Sequence, residues 1–310
     1  MSQNNLLAGL VSCLILLAAG PVAAQGGNAV RLPSADSFVP STTSGRLLLT
    51  GGVTMFEGAS GGGLVPWATI GGYGTRDEIG ATAFGTFIPL RDYRASSYGA
   101  LAGFYNRVEL SYARAEFNTQ RVGGDLGLGR DFTFGQDIFG VKVRLFGDLV
   151  LDQDTLLPQV AVGAQYRQNN RNDVVRAVGA ERDADWDFYV SATKLLLSQS
   201  LLVNGTLRAT RANEFGFLGF GGARNDDYQI MPEVSVAYLV NRNLAIGAEY
   251  RRRPLNLGVS TSRDAYDFFA AYALSKNVSV TLAYVDLGEI VAAAAPRSQR
   301  GAYLSLNIGF

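Results

Sequence analysis

The chain has no histidine and only one cysteine, Cys13, in 310 residues. Without imidazole, Ser-His-Asp and Cys-His nucleophilic catalysis is excluded, and the usual zinc donor sets go with it. Cys13 lies in an apolar N-terminal run. The rest of the chain therefore has no thiol for a disulfide, a thiolate nucleophile or a soft-metal site. Charge of either sign is not in excess: 27 Lys and Arg offset 27 Asp and Glu. Nucleic-acid binding draws on a basic surplus, so that partner is not expected. Beyond the N-terminal run, no apolar stretch reaches the length of a transmembrane helix.

That first run, residues 6–24, ends in small residues, with Val22 and Ala24 at the minus-three and minus-one places of a signal-peptidase site. Cleavage is expected before Gln25, although the leading "MSQNN" carries no Lys or Arg. A retained anchor and a lipoprotein box at Cys13 are the alternatives. Residues 25–44 are rich in Gly, Pro and Ser without periodicity. They are expected to form a flexible periplasmic extension, or a plug entering a lumen.

What the chain has in quantity is glycine, 37 residues, and alternation of apolar with polar or small residues. From residue 45 to 310, stretches of about ten residues with a period of two are separated by breaks. In 201–210, Leu201, Val203, Leu207 and Ala209 oppose Asn204, Thr206, Arg208 and Thr210; in 278–285, Val278, Val280, Leu282 and Tyr284 oppose Ser279, Thr281 and Ala283. The breaks take turns between short (75–78, 105–107, 151–155, 198–200, 241–243, 275–277) and long (57–63, 91–97, 118–136, 168–184, 212–226, 254–263, 287–300). Short turns at one end and long loops at the other mark a transmembrane barrel. The segments number about fourteen, or twelve if the blurred opening stretches "LTGGVT" and "IGGYG" are not strands. Aromatics at strand ends (Tyr166, Tyr238, Tyr250, Tyr272 and Tyr284) fit an interfacial girdle. A β-sandwich or propeller is the soluble alternative, but no repeat of propeller length is visible. The expectation is an all-β, antiparallel, up-and-down barrel.

Two resemblances sharpen this. "GAYLSLNIGF", with Ala302, Leu304, Leu306, Ile308 and Phe310 on one face, resembles the sorting signal of Gram-negative outer-membrane proteins. That resemblance implies recognition by the barrel-assembly machinery. "GRLLLTGGVTMFEGASGGGLVPWATIGGYGTRDEIG" (45–80) resembles the opening of a proteobacterial family of outer-membrane barrels to which no function is assigned. It implies fold and location, and brings no catalytic or ligand residues with it.

Sites for chemistry are few. Asp183, Asp185 and Asp187 in "DADWDF" have a Ca²⁺-loop spacing, but Phe188 and Lys194 stand where such a loop needs Gly and Glu. They read as a solvated loop end, and neither metal nor cofactor is expected. The glycine-rich 123–135 lacks a phosphate-loop lysine. The inner faces are more informative: Lys142, Arg144, Arg167, Arg208, Glu233, Glu249, Arg251 and Asp267 all point to the lumen in the alternating pattern. Arg208, Glu233, Arg251 and Asp267 fall on four consecutive strands with alternating sign, so a cross-strand ladder is expected, with Lys142 and Arg144 adding a basic patch. Large inner residues are Phe146, Tyr189, Phe269 and Tyr303. Arg211 and Arg252 break the lipid-facing set at the outer rim, where lipopolysaccharide phosphates are available.

The functional expectation is a Gram-negative outer-membrane channel for passive diffusion of small polar solutes, not an enzyme. The alternative is a closed barrel with a structural or loop-mediated envelope role. Membrane lipid, lipopolysaccharide and the assembly machinery are the expected partners, and a monomer is preferred.

Overall fold

The computed structural model describes Leu49 and residues 53–310, except 154, 260–263 and 293. The expected signal peptide (1–24) and extension (25–44) lie outside the described residues. Twelve antiparallel strands form one closed barrel. They are β3 (Ile79–Pro89), β4 (Arg94–Phe104), β5 (Val108–Asn118), β6 (Thr133–Phe146), β7 (Gln159–Asn169), β8 (Ala184–Leu196), β9 (Leu201–Thr210), β10 (Gln229–Leu239), β11 (Leu244–Arg252), β12 (Asp264–Ala273), β13 (Val278–Asp286) and β14 (Arg300–Gly309). Each pairs with its neighbour in sequence, and β14 closes on β3 from Leu304↔Phe87 to Gly309↔Thr82. Closure leaves no sheet edge, which a bilayer demands because its core offers backbone groups no partner.

Alternation sorts the side chains. Along β9, Leu202, Asn204, Thr206, Arg208 and Thr210 are buried, while Val203 and Leu207 are exposed. On β14, Leu304, Leu306, Ile308 and Phe310 are exposed, and Tyr303, Ser305 and Asn307 are buried. The exposed outer face is thus apolar and the enclosed face polar, the inverse of a soluble barrel. Outward-facing Trp186, Tyr228 and Tyr250 stand near the long loops, and Tyr105, Tyr238 and Tyr272 near the short turns. Among the described residues no helix is long and apolar enough to cross a membrane. The fold is that of an outer-membrane β-barrel.

Twelve strands replace fourteen because the two opening segments are not in the wall. Residues 53–73 lie inside the lumen, where 53–71 are buried without alternation. A segment enclosed on every side has no reason to alternate, which is why its pattern is blurred. It carries a short hairpin, β1 (Val53–Thr54) with β2 (Ser60–Gly61). Gly58 turns the hairpin at φ +95°, a conformation that suits glycine. The expected loop 57–63 is therefore the tip of an internal plug.

The segment begins and ends at the short-turn end. Thr54 N–H donates to Asn307 Oδ1 (3.1 Å), and Tyr73 N–H donates to the Phe310 carbonyl (3.2 Å). Between these points it rises to Phe56, which packs on Phe217, and returns. At the outer end, the connection 211–228 folds inward. Phe217 joins Phe117 and Phe134 in an apolar cluster, with Ile88, Leu218, Leu287 and Ile290 buried in the same core. Glu214 and Phe215 there adopt positive φ, an uncommon backbone for such residues. Two one-and-a-half-turn helices, α1 (Gln120–Asp125) and α2 (Asn172–Ala177), lie in other outer connections.

Candidate functional site

The inner wall holds the plug through side chains contributed by nearly every strand. On β5, Glu109 accepts the N–H groups of Ser60 (3.0 Å) and Gly71 (2.7 Å). Lys142 on β6 pairs with Glu109 (3.1 Å) and donates to the carbonyls of Ser60 and Thr69. Gln159 and Thr193 hold Ala68 through its carbonyl and its N–H. The Pro66 carbonyl accepts from Ser191 and Thr206. Trp67 donates its indole N–H to Ser235 (3.0 Å), which in turn donates to Glu249. Glu249 also accepts the Leu64 N–H (2.6 Å). A Cβ on Gly62 would lie 2.0 Å from the Glu249 carboxylate, so only glycine lets the backbone come this close.

At the tip of the plug sits Glu57, which is 2% exposed. Its Oε1 takes Arg167 Nη1 at 2.8 Å and Arg251 Nη2 at 2.9 Å, and its Oε2 is 3.7 Å from Arg208 Nη2. The wall supplies counter-charges of its own: Arg167 pairs with Asp187 (2.9 Å), and Arg208 with Glu233 (2.6 Å). Gln165 Oε1 accepts from both Arg167 and Arg208. Phe215 caps the group, its carbonyl accepting from Arg167 and its ring lying 4.9 Å from the Arg251 guanidinium. Buried charges persist only when compensated, and three guanidiniums and three carboxylates here neutralise one another.

The ladder forms in part. Arg208–Glu233 and Glu233–Arg251 (3.2 Å) are its first rungs. It ends there, because the register sets Asp267 opposite Glu249 and Arg251 opposite Ala265. Asp267 is thus corrected from a rung to the neighbour of a carboxylate. Arg144 is corrected too. It lies at the short-turn mouth, 3.4 Å from Asp148, in a hollow shared with Arg76 and Arg107. Lys142 is in the lumen but engaged by Glu109 and the plug, so the two make no common basic patch. Phe146 faces outward and is exposed, because a bulge between Arg144 and Phe146 shifts the alternation; Tyr189, Phe269 and Tyr303 are buried inside.

The aspartates of "DADWDF" are not a solvated loop end. Strand β8 starts at Ala184, and Asp187 is fully buried against Arg167. Among the described residues no group of acidic side chains has metal-site geometry. At the rim, Arg211 pairs with Asp185 (2.9 Å) and stacks on Tyr228. Arg252 stands opposite Asp264 at the outer end of β11. Residues 302, 304, 306, 308 and 310 form the outward face of the closing strand.

Outside the spanning strands, Asp92 ties three outer connections. It accepts from Arg297 Nε (2.8 Å), Gln299 (2.9 Å) and Arg121 (3.2 Å). The Arg297 hydrogen bond, helped by Gln299 and Arg121, holds its carboxyl well below the usual range.

The residues that sequence reasoning missed are Glu57, Glu109 and Gln165, while the sequence pattern reads Asp187 as a loop residue rather than a partner of Arg167. Glu57 did carry a signal: it is the sole charged residue between Arg46 and Arg76.

The chain belongs to the family described as "Protein of unknown function (DUF3034)", which matches residues 50–307. No curated protein matches it. Among solved structures it is similar to the KdgM porin (10% identity, 74% of this chain and 99% of that one, TM-score 0.47). It is similar likewise to the NanC porin (11%, 74% and 98%, TM-score 0.48). A third is outer membrane phospholipase A from Escherichia coli (9%, 78% and 94%, TM-score 0.41). Similarity of this order carries no argument about function.

Proposed function

We propose that this protein is a gated outer-membrane channel for small polar solutes, shut in the conformation described and conducting when residues 53–73 are displaced. The observation that carries this reading is the plug's mode of attachment. It is held to a wall of Ser, Thr, Asn, Gln and charged side chains, largely by hydrogen bonds that its own backbone donates or accepts. Each of these wall groups can be satisfied by water once the plug leaves, so the emptied lumen is hydratable.

Spontaneous opening is rare on this account. The plug buries Met55, Phe56, Leu64, Val65, Trp67 and Ile70, at roughly 1.5–3 kcal/mol for each large apolar side chain. That total far exceeds thermal energy, so opening needs a solute or a pull. The apolar cluster of Phe56, Phe117, Phe134 and Phe217 favours a second reading, a permanently closed barrel with an envelope role.

Planar-bilayer recording separates the two. A disulfide between Gly63→Cys and Asp267→Cys would lock the plug, since a Cβ at 63 lies 3.2 Å from the Asp267 carboxylate. Gated passage predicts infrequent conductance steps from the wild type under voltage or with a sugar solute on one side, none from the oxidised pair, and their return on reduction. An inserted wild type that stays silent under voltage and with sugar solutes on one side would establish the closed barrel instead.

A further inference from the structure

Glu57 belongs to the plug, whereas the groups that receive it belong to the wall. Arg167 is on β7, Arg208 on β9 and Arg251 on β11. Withdrawal of the plug would leave three guanidiniums facing Asp187 and Glu233, an excess of one positive charge in an enclosed, polar place. The wall also holds these arginines in position without Glu57. Gln165 accepts from two of them, Glu233 lies between Arg208 and Arg251, and the Tyr189 ring lies 5.2 Å from the Arg208 guanidinium. Were the cluster only a seal, apolar packing of similar volume would serve at least as well, because burying ions is costly.

From this we infer that Arg167, Arg208 and Arg251 form a carboxylate-binding site which Glu57 occupies as a tethered stand-in, and that a solute bearing one carboxylate competes with Glu57 for it. The inference deepens the gated reading and rests on it for the route of entry. The fit of Glu57 supports competition. Two arginines converge on Oε1, while Oε2 accepts no hydrogen bond and stands 3.7 Å from Arg208. The backbone of the plug limits where this carboxylate can settle. An untethered carboxylate can take guanidinium N–H groups on both oxygens, the stronger arrangement. A single negative charge matches the single excess positive one, which selects monocarboxylates over dianions.

The test is chemical replacement in the full chain. Glu57→Ala is refolded in detergent in sodium formate or in sodium chloride at equal ionic strength, and its unfolding is followed by heat-dependent mobility on gels. Formate is expected to raise the midpoint of the variant by about 1–2 °C over chloride, the shift given by roughly 1 kcal/mol in a chain of 310 residues. It should not raise that of the wild type, whose site is filled. Refolding of the variant in formate alone would support the inference equally. Identical behaviour in the two salts would overturn it. A second measurement needs no variant: uptake of galacturonate against galactose into proteoliposomes carrying the wild type. Faster entry of the acid supports the site, and equal entry overturns it. Entry of neither sugar defeats the gated reading while leaving the formate result to judge the site.

Discussion

The two ends of the lumen are closed by different physics. Toward the long loops, Phe56, Phe117, Phe134, Phe217 and Leu218 make a dry cluster whose strength lies in area removed from water. Toward the short turns, the plug is held by Glu109, Lys142, Gln159, Thr193 and Asn307, each aimed at a particular backbone group. Apolar contact is non-directional and tolerates a neighbour of similar volume. Directed hydrogen bonds tolerate little, but water can replace them. The outer half therefore resembles a small protein core, and the inner half a pore wall with something standing in it. The Glu57 cluster lies where the two meet.

Substitutions break this contrast in graded ways. The largest effect is expected at the junction. Arg208→Met removes one of the two partners of Glu233 and leaves the buried cluster with a carboxylate in excess, at about 3–5 kcal/mol. A lowered midpoint in heat-dependent gel mobility checks it. In the bilayer, the residual openings should shift toward cations, and an unchanged reversal potential in a salt gradient would count against that. Phe217→Ala should cost nearly as much, about 3 kcal/mol or more for a buried phenylalanine. It should leave ion selectivity as it was, because the outer cluster bears no charge; the same two measurements decide. In the inner half, Ser235→Ala strands the Trp67 indole N–H at about 1–3 kcal/mol. Trp67 fluorescence should report a loosened plug, with more frequent conductance steps than in Phe217→Ala.

The smallest effect is expected at the rim. Asp92→Asn removes the charge that ties 90–93 to 119–132 and 287–299, and hydrogen exchange should rise in those connections while the barrel stays intact. In the wild type, the carboxyl of Asp92 is depressed on folding. Its contribution is thus present above the unfolded value of about 3.9 and is lost only as pH falls through the lower folded value. Protection of 287–299 should survive at pH 4 and decline in stronger acid. Loss of protection already near pH 5 would contradict the role of this tie.

Much of this molecule was legible in its sequence, and the illegible parts share a cause. Strands such as 201–210 and 278–286 declare themselves because one face meets lipid and the other does not. Residues 53–73 meet protein on every side, so period two vanishes, and counting breaks turns the plug into two further strands. The long connections hide register. The sequence between β11 and β12 carries no register signal, so alternation alone sets Asp267 beside Arg251, whereas it faces Glu249. Arg144 sits at the mouth rather than deep in the lumen for a similar reason, because the connection 147–158 begins earlier than the polar residues 151–155 suggest. Alternation alone marks the arginines on β7, β9 and β11 as inward-facing. It does not mark their common partner, because a contact between residue 57 and residues 167–251 leaves no trace in local pattern.

The central claim is that residues 53–73 keep the lumen closed. Ser305 tests it most directly: it lies on the inner wall with no exposure and receives a hydrogen bond from Thr86. Ser305→Cys, in a Cys13→Ser background inserted in bilayers, is treated with a membrane-impermeant, hydrophilic thiol reagent. The account predicts that this thiol resists labelling as folded and reacts once the barrel is unfolded by heat. Rapid labelling of the folded barrel at the rate of an exposed thiol would show an open, water-filled lumen and contradict it.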